Sequence, residues 1–446
     1  MHRELPQCDH RPAPYAGPSR EEILATRRAH CHPAIFTIYR EPLLIVEGWM
    51  QYLYDDAGTR YLDLIAGIVT VSCGHSHPRV LARVKEQIDR LQHATTIYLH
   101  PNFPALAKRL TDKLPPGLDV VYFTNSGSEA NEIAIAMARL YTGNEDVIAL
   151  RNGYHGGTSG AMTLTSHSTW KFPLPPAGRV CHAVCPDPYR SPFRGTPEEI
   201  AVQSVADIRD LIRFSTPGKV AAFIAEPIQG VGGATHGAPG YLGRAYEVVR
   251  EHGGVCISDE VQTGFGRTGE HFWGFENFAV TPDIVTMAKG IANGFPLAAV
   301  VTRMDIAKAF ATRIHFNTYG GNPISMAAGL AVLDVIEDEG LQENARIVGG
   351  YLKEGLRALQ ARHRLIGDVR GMGLMLGVEL VRDRNTKEPA KEETLELFEA
   401  LRELRVLVGK GGFFGNVLRI KPPLCVTRED AEYAIEALDV ALAGVS

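Results

Sequence analysis

No apolar run in this sequence approaches the roughly 20 residues that a bilayer crossing requires, so no membrane span is predicted. There is no basic stripe either. The 46 Lys and Arg residues are interspersed with 51 Asp and Glu, for a net charge of −5, which excludes a nucleic-acid surface. Cysteine is sparse: seven residues, an odd number without framework spacing, predict reduced thiols in an intracellular compartment. Cys181 and Cys185 bracket His182, but no second cysteine pair or carboxylate cluster completes a metal site, and none is expected. The N-terminal stretch MHRELPQCDHRPAPYAGPSREE lacks an apolar segment and is not rich in Arg and Ser. Neither a signal peptide nor a transit peptide is expected, and the protein is assigned to the cytoplasm. Internal repeats and low-complexity segments are missing as well.

What is present is an ordinary globular composition, 45% hydrophobic and 22% charged. At 446 residues the chain is too long for one core and predicts two or three domains. After an irregular arm to about Pro18, Ser19 with Glu21 and Glu22 marks a helix start. The runs LLIVEG, QYLY and RYLDL between Leu43 and Leu64 predict a hairpin of a small N-terminal sheet. Val80, Leu81, Val84, Ile88 and Leu91 share one face of a helix over about Val80–Gln92. From Leu106 to about Phe310, strand and helix patterns alternate, the signature of a mainly parallel sheet covered by helices. Six strands are predicted there: Val120–Phe123, Val147–Leu150, Val220–Ala225, Val255–Ser258, Ile284–Met287 and Ala298–Val301. After Gly329, charged helices, a glycine-rich strand pair over Gly367–Leu380, the run Leu418–Ile420 and a final helix predict a second, α+β domain.

In open α/β sheets, function gathers at the C-terminal ends of strands. One strand run, Val255–Ile257, is followed by Asp259 and Glu260. Another, Ile284–Met287, leads to a lone Lys289 and Gly290. A lysine amine can form a Schiff base with the aldehyde of pyridoxal phosphate (PLP), and a buried carboxylate can keep that cofactor's ring nitrogen protonated. Gly264, Gly266 and Gly269 also spell the dinucleotide fingerprint. That motif must open a helix, and the following Glu-His-Phe-Trp-Gly-Phe has no helical period, so nicotinamide chemistry is not expected. Ser126-Gly127-Ser128 opens an amphipathic helix. It suits either an anion at the helix N-terminus or a plain N-cap. Tyr154, Glu226 and Arg419 read, on composition alone, as core and surface residues.

DEVQTGFGRTG followed by PDIVTMAKG, together with NSGSEANEIAIAMARLYTG, CPDPYR and GKGGFFGNVLRIKPPLC, resembles the class III PLP-dependent aminotransferases of fold type I. Within that class the likeness is to the alanine–glyoxylate type, and it runs from about Pro33 to Leu442. The resemblance implies a large domain with a mainly parallel seven-stranded sheet, plus a small α+β domain built from both termini. The implied boundaries are 1–75 for the arm and part of the small domain, 76–328 for the PLP-binding domain and 329–446 for the rest of the small domain. It implies Lys289 as the Schiff-base lysine, Asp259 at the ring nitrogen and Gln262 at the ring hydroxyl. Gly127 and Ser128, with Ser126 beside them, would form the phosphate cup, and Tyr154 would stack on the ring. Thr318 would serve the phosphate of a neighbouring subunit, making a homodimer with shared sites, or a tetramer. Glu226 and Arg419 would bind substrate, with Glu226 holding Arg419 until an α-carboxylate displaces it. Cys73 departs from the small non-thiol residue of many relatives.

The implied reaction moves an amino group from an amino acid, L-alanine or an ω-amino acid, to a keto acid, glyoxylate or pyruvate. Transamination of 4-aminobutyrate or β-alanine is an alternative. So is β-elimination from an amino-alcohol phosphate by a phospho-lyase, since the same cofactor residues serve it. A catalytically idle regulator of the same fold is disfavoured by intact Lys289 and Asp259.

Overall fold

The computed structural model describes residues 4–445. Its centre is a seven-stranded sheet in the spatial order Val120–Thr124, Ala298–Thr302, Ile284–Met287, Val255–Asp259, Ala222–Ala225, Val147–Leu150, Val180–Ala183. Six strands run one way. Ala298–Thr302 alone is reversed, pairing antiparallel with both neighbours. The inner strands are continuous apolar runs because both faces are covered. Phe223, Ile224, Ile257, Ile284 and Val285 are fully buried.

The six strands predicted from sequence are all present. The seventh, Val180–Ala183, gave no signal because it is only four residues long and His182 breaks its apolar run. Its residues serve the fold: His182 Nε2 bonds the Leu164 carbonyl at 3.0 Å. The helix Gly127–Thr142 crosses one face of the sheet. Ala130, Ala134 and Ala138 bring its backbone close to the strands, and Gly143 ends it at φ 69°.

The predicted N-terminal hairpin is a three-strand meander, Ile45–Trp49, Tyr52–Asp55 and Arg60–Asp63. Its fourth strand comes from the far end of the chain: Val406–Leu407 runs parallel to Arg60–Asp63. A second small sheet orders Ile366–Met372, Met375–Asp383, Val417–Ile420 and Gly409–Gly411. The helices Leu341–Arg362, Lys391–Glu403 and Arg428–Val445 cover these sheets. Ser19 caps the first helix, Arg20–His30, in a capping box with Glu22, although none of that helix's residues is buried. The helix predicted over Val80–Gln92 spans Pro78–Arg90. It buries Val80 and Val84 but leaves Ile88 and Leu91 about two-fifths exposed. Among the described residues, no helix is long and apolar enough to cross a membrane.

Candidate active site

Five parallel strands end at one edge of the sheet, and each delivers a side chain there. Asp259 closes its own strand, and its Cα partner on the next strand is Thr286, three residues before Lys289. Glu226, the Tyr154-His155 pair and the Gly127-Ser128 helix start follow the other strand ends. Together with Asn131, Gly156, Val261 and Gln262, these residues line a cavity of about 190 Å³.

Lys289 holds a left-handed backbone, φ 49°, which lysine rarely adopts without surrounding constraint. Its amine meets no hydrogen-bond partner among the described residues. Burial lowers its pKa, although the charges of Asp259 and Glu226 pull the other way. Asp259 is 3% exposed. Its Oδ2 accepts from Asn131 Nδ2 at 2.9 Å and from His155 Nδ1 at 2.8 Å. Burial alone would lower the pKa of His155, but the hydrogen bond and charge of Asp259 outweigh it and raise the value. His155 Nε2 is buried without a partner. Asn131 is itself oriented by Thr286, whose hydroxyl donates to Asn131 Oδ1 at 2.7 Å.

At the helix start, Ser126 is an N-cap. Its Oγ accepts from the Glu129 N–H at 3.2 Å, and the residue is exposed outside the cavity wall. Gly127 and Ser128 do line the cavity, beside the first free N–H groups of the helix. Ser128 Oγ accepts from the Gly157 N–H at 3.1 Å. Gly156 passes so close that an added Cβ would lie 2.2 Å from Ser128 Oγ. Tyr154 stands at the cavity edge with Trp170 against it edge-on, ring centres 5.6 Å apart. Thr318 lies exposed on the loop before helix Pro323–Asp338, away from this chain's own cavity.

Glu226 and Arg419 are close but not paired. The Glu226 carboxylate accepts from the N–H of Tyr154 at 3.0 Å and of Gly230 at 2.7 Å. Arg419 donates from Nη1 to the Gly230 carbonyl at 3.4 Å, and its Nε has no partner. Both therefore grip Gly230, Glu226 through the peptide group before it and Arg419 through the one after it, in place of the direct contact expected from sequence. Burial lowers the Arg419 guanidinium to about 10, against the pull of Glu226.

Asp259 and Glu260 diverge. Glu260 turns away from the cavity and accepts four hydrogen bonds, from Thr263 Oγ1, Ser258 Oγ and the N–H groups of Gly274 and Phe275, at 2.6–3.2 Å. It clamps the loop that carries Gln262. Glu260→Gln would set an NH₂ group against one of those N–H donors. We expect a loss of about 2–3 kcal/mol of stability, seen as a lower Tm, with activity kept at ambient temperature. An unchanged Tm would remove the clamp. The three-glycine motif belongs to the same loop. Gly266 and Gly269 take φ of 76° and 81° and admit Gln342 and Arg346 of helix Leu341–Arg362 at close range. They serve packing, and no α-helix follows them, only the short 3-10 helix Gly274–Phe278.

Sequence reasoning passed over Asn131, His155, Val261 and Lys421. Asn131 had a signal, since it lies three positions after Ser128 and so on the same helix face. Lys421 had none; its contacts are to Gly230 and Gln262, 191 and 159 residues away along the chain. Cys73 is fully buried, and it lies outside the cavity wall.

The family model Aminotransferase class-III matches residues 25–442. The alanine–glyoxylate aminotransferase 2 homolog 2 of Arabidopsis thaliana is 55% identical, covering 98% of this chain and 91% of that protein. The human alanine–glyoxylate aminotransferase 2 is 42% identical, covering 98% and 89%. Among solved structures, an (S)-enantioselective omega-transaminase from Thermomicrobium roseum superposes with a TM-score of 0.89 at 35% identity, covering 96% of this chain and 100% of that one. A phospholyase from Arthrobacter in complex with phosphoethanolamine gives 0.88 at 35%, covering 94% and 99%. An amine transaminase from an uncultivated Pseudomonas species, in its PLP-bound form, gives 0.86 at 34%, covering 93% and 98%. The Arabidopsis and human relatives are mitochondrial proteins, which overturns the cytoplasmic assignment made from the N-terminal composition.

Proposed function

The chain belongs to the class III aminotransferases and is a transaminase, and from that premise we propose that it binds PLP at Lys289 and transfers the amino group of L-alanine, or of an ω-amino acid, to glyoxylate or pyruvate. The observation that carries this is the unpartnered amine of Lys289 in a cavity that the buried Asp259 carboxylate also lines.

The residues fit the cofactor. The helix start at Gly127-Ser128 suits a phosphate, Tyr154 and Val261 suit the two faces of a flat ring, and the free His155 Nε2 gives the cavity an unsatisfied polar group. When bound, PLP supplies an aldehyde for an amine and an aromatic ring that takes up the electron pair left when the substrate carbon loses its proton.

The chain's own residues do the rest. Lys289, with its pKa lowered by burial, holds a neutral amine nearer to neutral pH than an exposed lysine would, and so acts as general base and then as general acid at the substrate carbon. Asp259 holds a negative charge in the cavity wall, oriented by Asn131 and His155. Arg419, just outside the cavity lining, receives the substrate α-carboxylate with its guanidinium, and Glu226 keeps Gly230, which Arg419 also bonds, in place. The large domain, about 76–328, carries the cofactor residues, and the small domain brings Arg419.

A homodimer is part of this reading. Exposed apolar residues gather at Ile35–Ile38, at Ile97–Leu99 and at Ile314, Phe316 and Tyr319, on the loop that bears Thr318. Thr318 would then face the phosphate of the partner's site.

Arg419→Met is expected to raise KM for an α-amino acid about 100-fold and to leave an amine without a carboxylate nearly unaffected. Equal effects on both would remove Arg419 from the carboxylate. The experiment for the whole reading is the visible absorbance of the PLP-loaded protein. It should fall on adding L-alanine and return on adding glyoxylate. A band indifferent to alanine that instead accompanies phosphate release from phosphoethanolamine would move the reading to a lyase. Loss of the band with 4-aminobutyrate or β-alanine alone would move it to those donors.

A further inference from the structure

Lys421 has a buried amine that none of the roles above uses. The residue is 2% exposed, on the chain just past the strand Val417–Ile420. Its Nζ donates to the Gly230 carbonyl at 3.0 Å and to Gln262 Oε1 at 3.0 Å. An ammonium has donors and no acceptor, so the amide oxygen of Gln262 is the atom that must face it. The other end of that amide, Nε2, has no acceptor among the described residues, and Gln262 lines the cavity. Gly230 completes the arrangement. A Cβ on it would lie 2.3–2.4 Å from the carbon, oxygen and nitrogen of the Gln262 amide, so the amide plane rests flat on a bare peptide.

We propose that Lys421 is a positioning residue that locks the Gln262 amide with Nε2 toward the cavity, so that the site offers a hydrogen-bond donor, never an acceptor, to an ionised ring oxygen of the cofactor. A free glutamine side chain samples several rotamers and both amide orientations. With its oxygen tied to Lys421, one orientation remains. Burial, and the neighbouring charge of Arg419, lower the Lys421 pKa. A neutral amine would still supply two N–H donors for two acceptors, but its lone pair would also accept from the amide, so the single orientation belongs to the ammonium form. The inference rests on the reading of this cavity as a PLP site.

The test is a double-mutant cycle on the purified full chain, stripped of cofactor and titrated with PLP. Lys421→Met and Gln262→Ala should each raise the Kd for PLP on the order of tenfold, and the double variant should be no weaker than either. The absorbance maximum of the bound cofactor should move by the same amount in all three, a change that a merely structural role of Lys421 would not produce. Gln262→Glu, with Lys421 intact, keeps an acceptor for the amine but turns a second carboxylate oxygen to the cavity, and should bind PLP more weakly than Gln262→Ala. A Lys421→Met protein with wild-type Kd and maximum, a double variant that multiplies the two losses, or a Gln262→Glu protein that binds at least as well as Gln262→Ala would each overturn the proposal. A wild-type protein that takes up no PLP would overturn the cofactor reading, and this one with it.

Discussion

Replacing Lys289 by alanine is expected to lower kcat on the order of 10⁴-fold, the upper range for loss of a positioned acid–base group, while the protein still folds and still binds PLP. Lys289 is at the end of an inner strand, in a left-handed backbone that turns its amine into the cavity. The other buried amine nearby, Lys421, is occupied by Gly230 and Gln262, so no neighbour takes over. Stability should hold or rise, because an unpartnered buried amine contributes nothing to the fold. Alanine keeps the left-handed strain and glycine relieves it, so Lys289→Gly should be more stable than Lys289→Ala by about 1 kcal/mol. Two measurements separate the explanations. Single-turnover absorbance with L-alanine reads the proton transfer directly, and added methylamine should restore part of the rate to the alanine variant. A rate within tenfold of wild type would take Lys289 out of the centre of the reaction.

Asp259→Asn is expected to lower kcat about 10³-fold. Two unit charges 4 Å apart at an effective dielectric of 20 interact by about 4 kcal/mol, which is three decades in rate. Asparagine keeps the shape and removes that charge. The same substitution has a second readout. Burial lowers the His155 pKa, and the hydrogen bond and charge of Asp259, with the charge of Glu226, outweigh it, so without the Asp259 charge the imidazole pKa should fall. An NMR titration of His155 checks this without reference to turnover. A variant with wild-type kcat would mean that the carboxylate orients His155 and does not hold charge for the reaction.

The main sheet and its site could be read from the sequence for one reason: the inner strands are buried on both faces. Val255-Cys256-Ile257 and Ile284-Val285 are unbroken apolar runs, and the polar residues that end them, Asp259 and Lys289, stand out against them. Val180–Ala183 has no such run because His182 interrupts it. The roles of two adjacent acids, Asp259 and Glu260, could not be separated from their positions, since the sheet turns them in opposite directions only where the backbone leaves the strand. Contacts between distant segments were the least readable. Lys421 and Gln262 are 159 residues apart, and Gly230, which both Glu226 and Arg419 grip, carries no side chain to announce itself.

The strand Val406–Leu407 beside Arg60–Asp63 sets a timetable for synthesis. The ribosome must add about 340 residues between the two partners, which at 5–20 residues per second takes roughly 20–70 s. The seven-stranded sheet is complete once Thr302 has emerged, whereas the meander near the N-terminus waits with an open edge. An unpaired edge is where chains of the same kind join one another. A product truncated before Val406 should therefore aggregate through its first hundred residues, although nothing is missing from them.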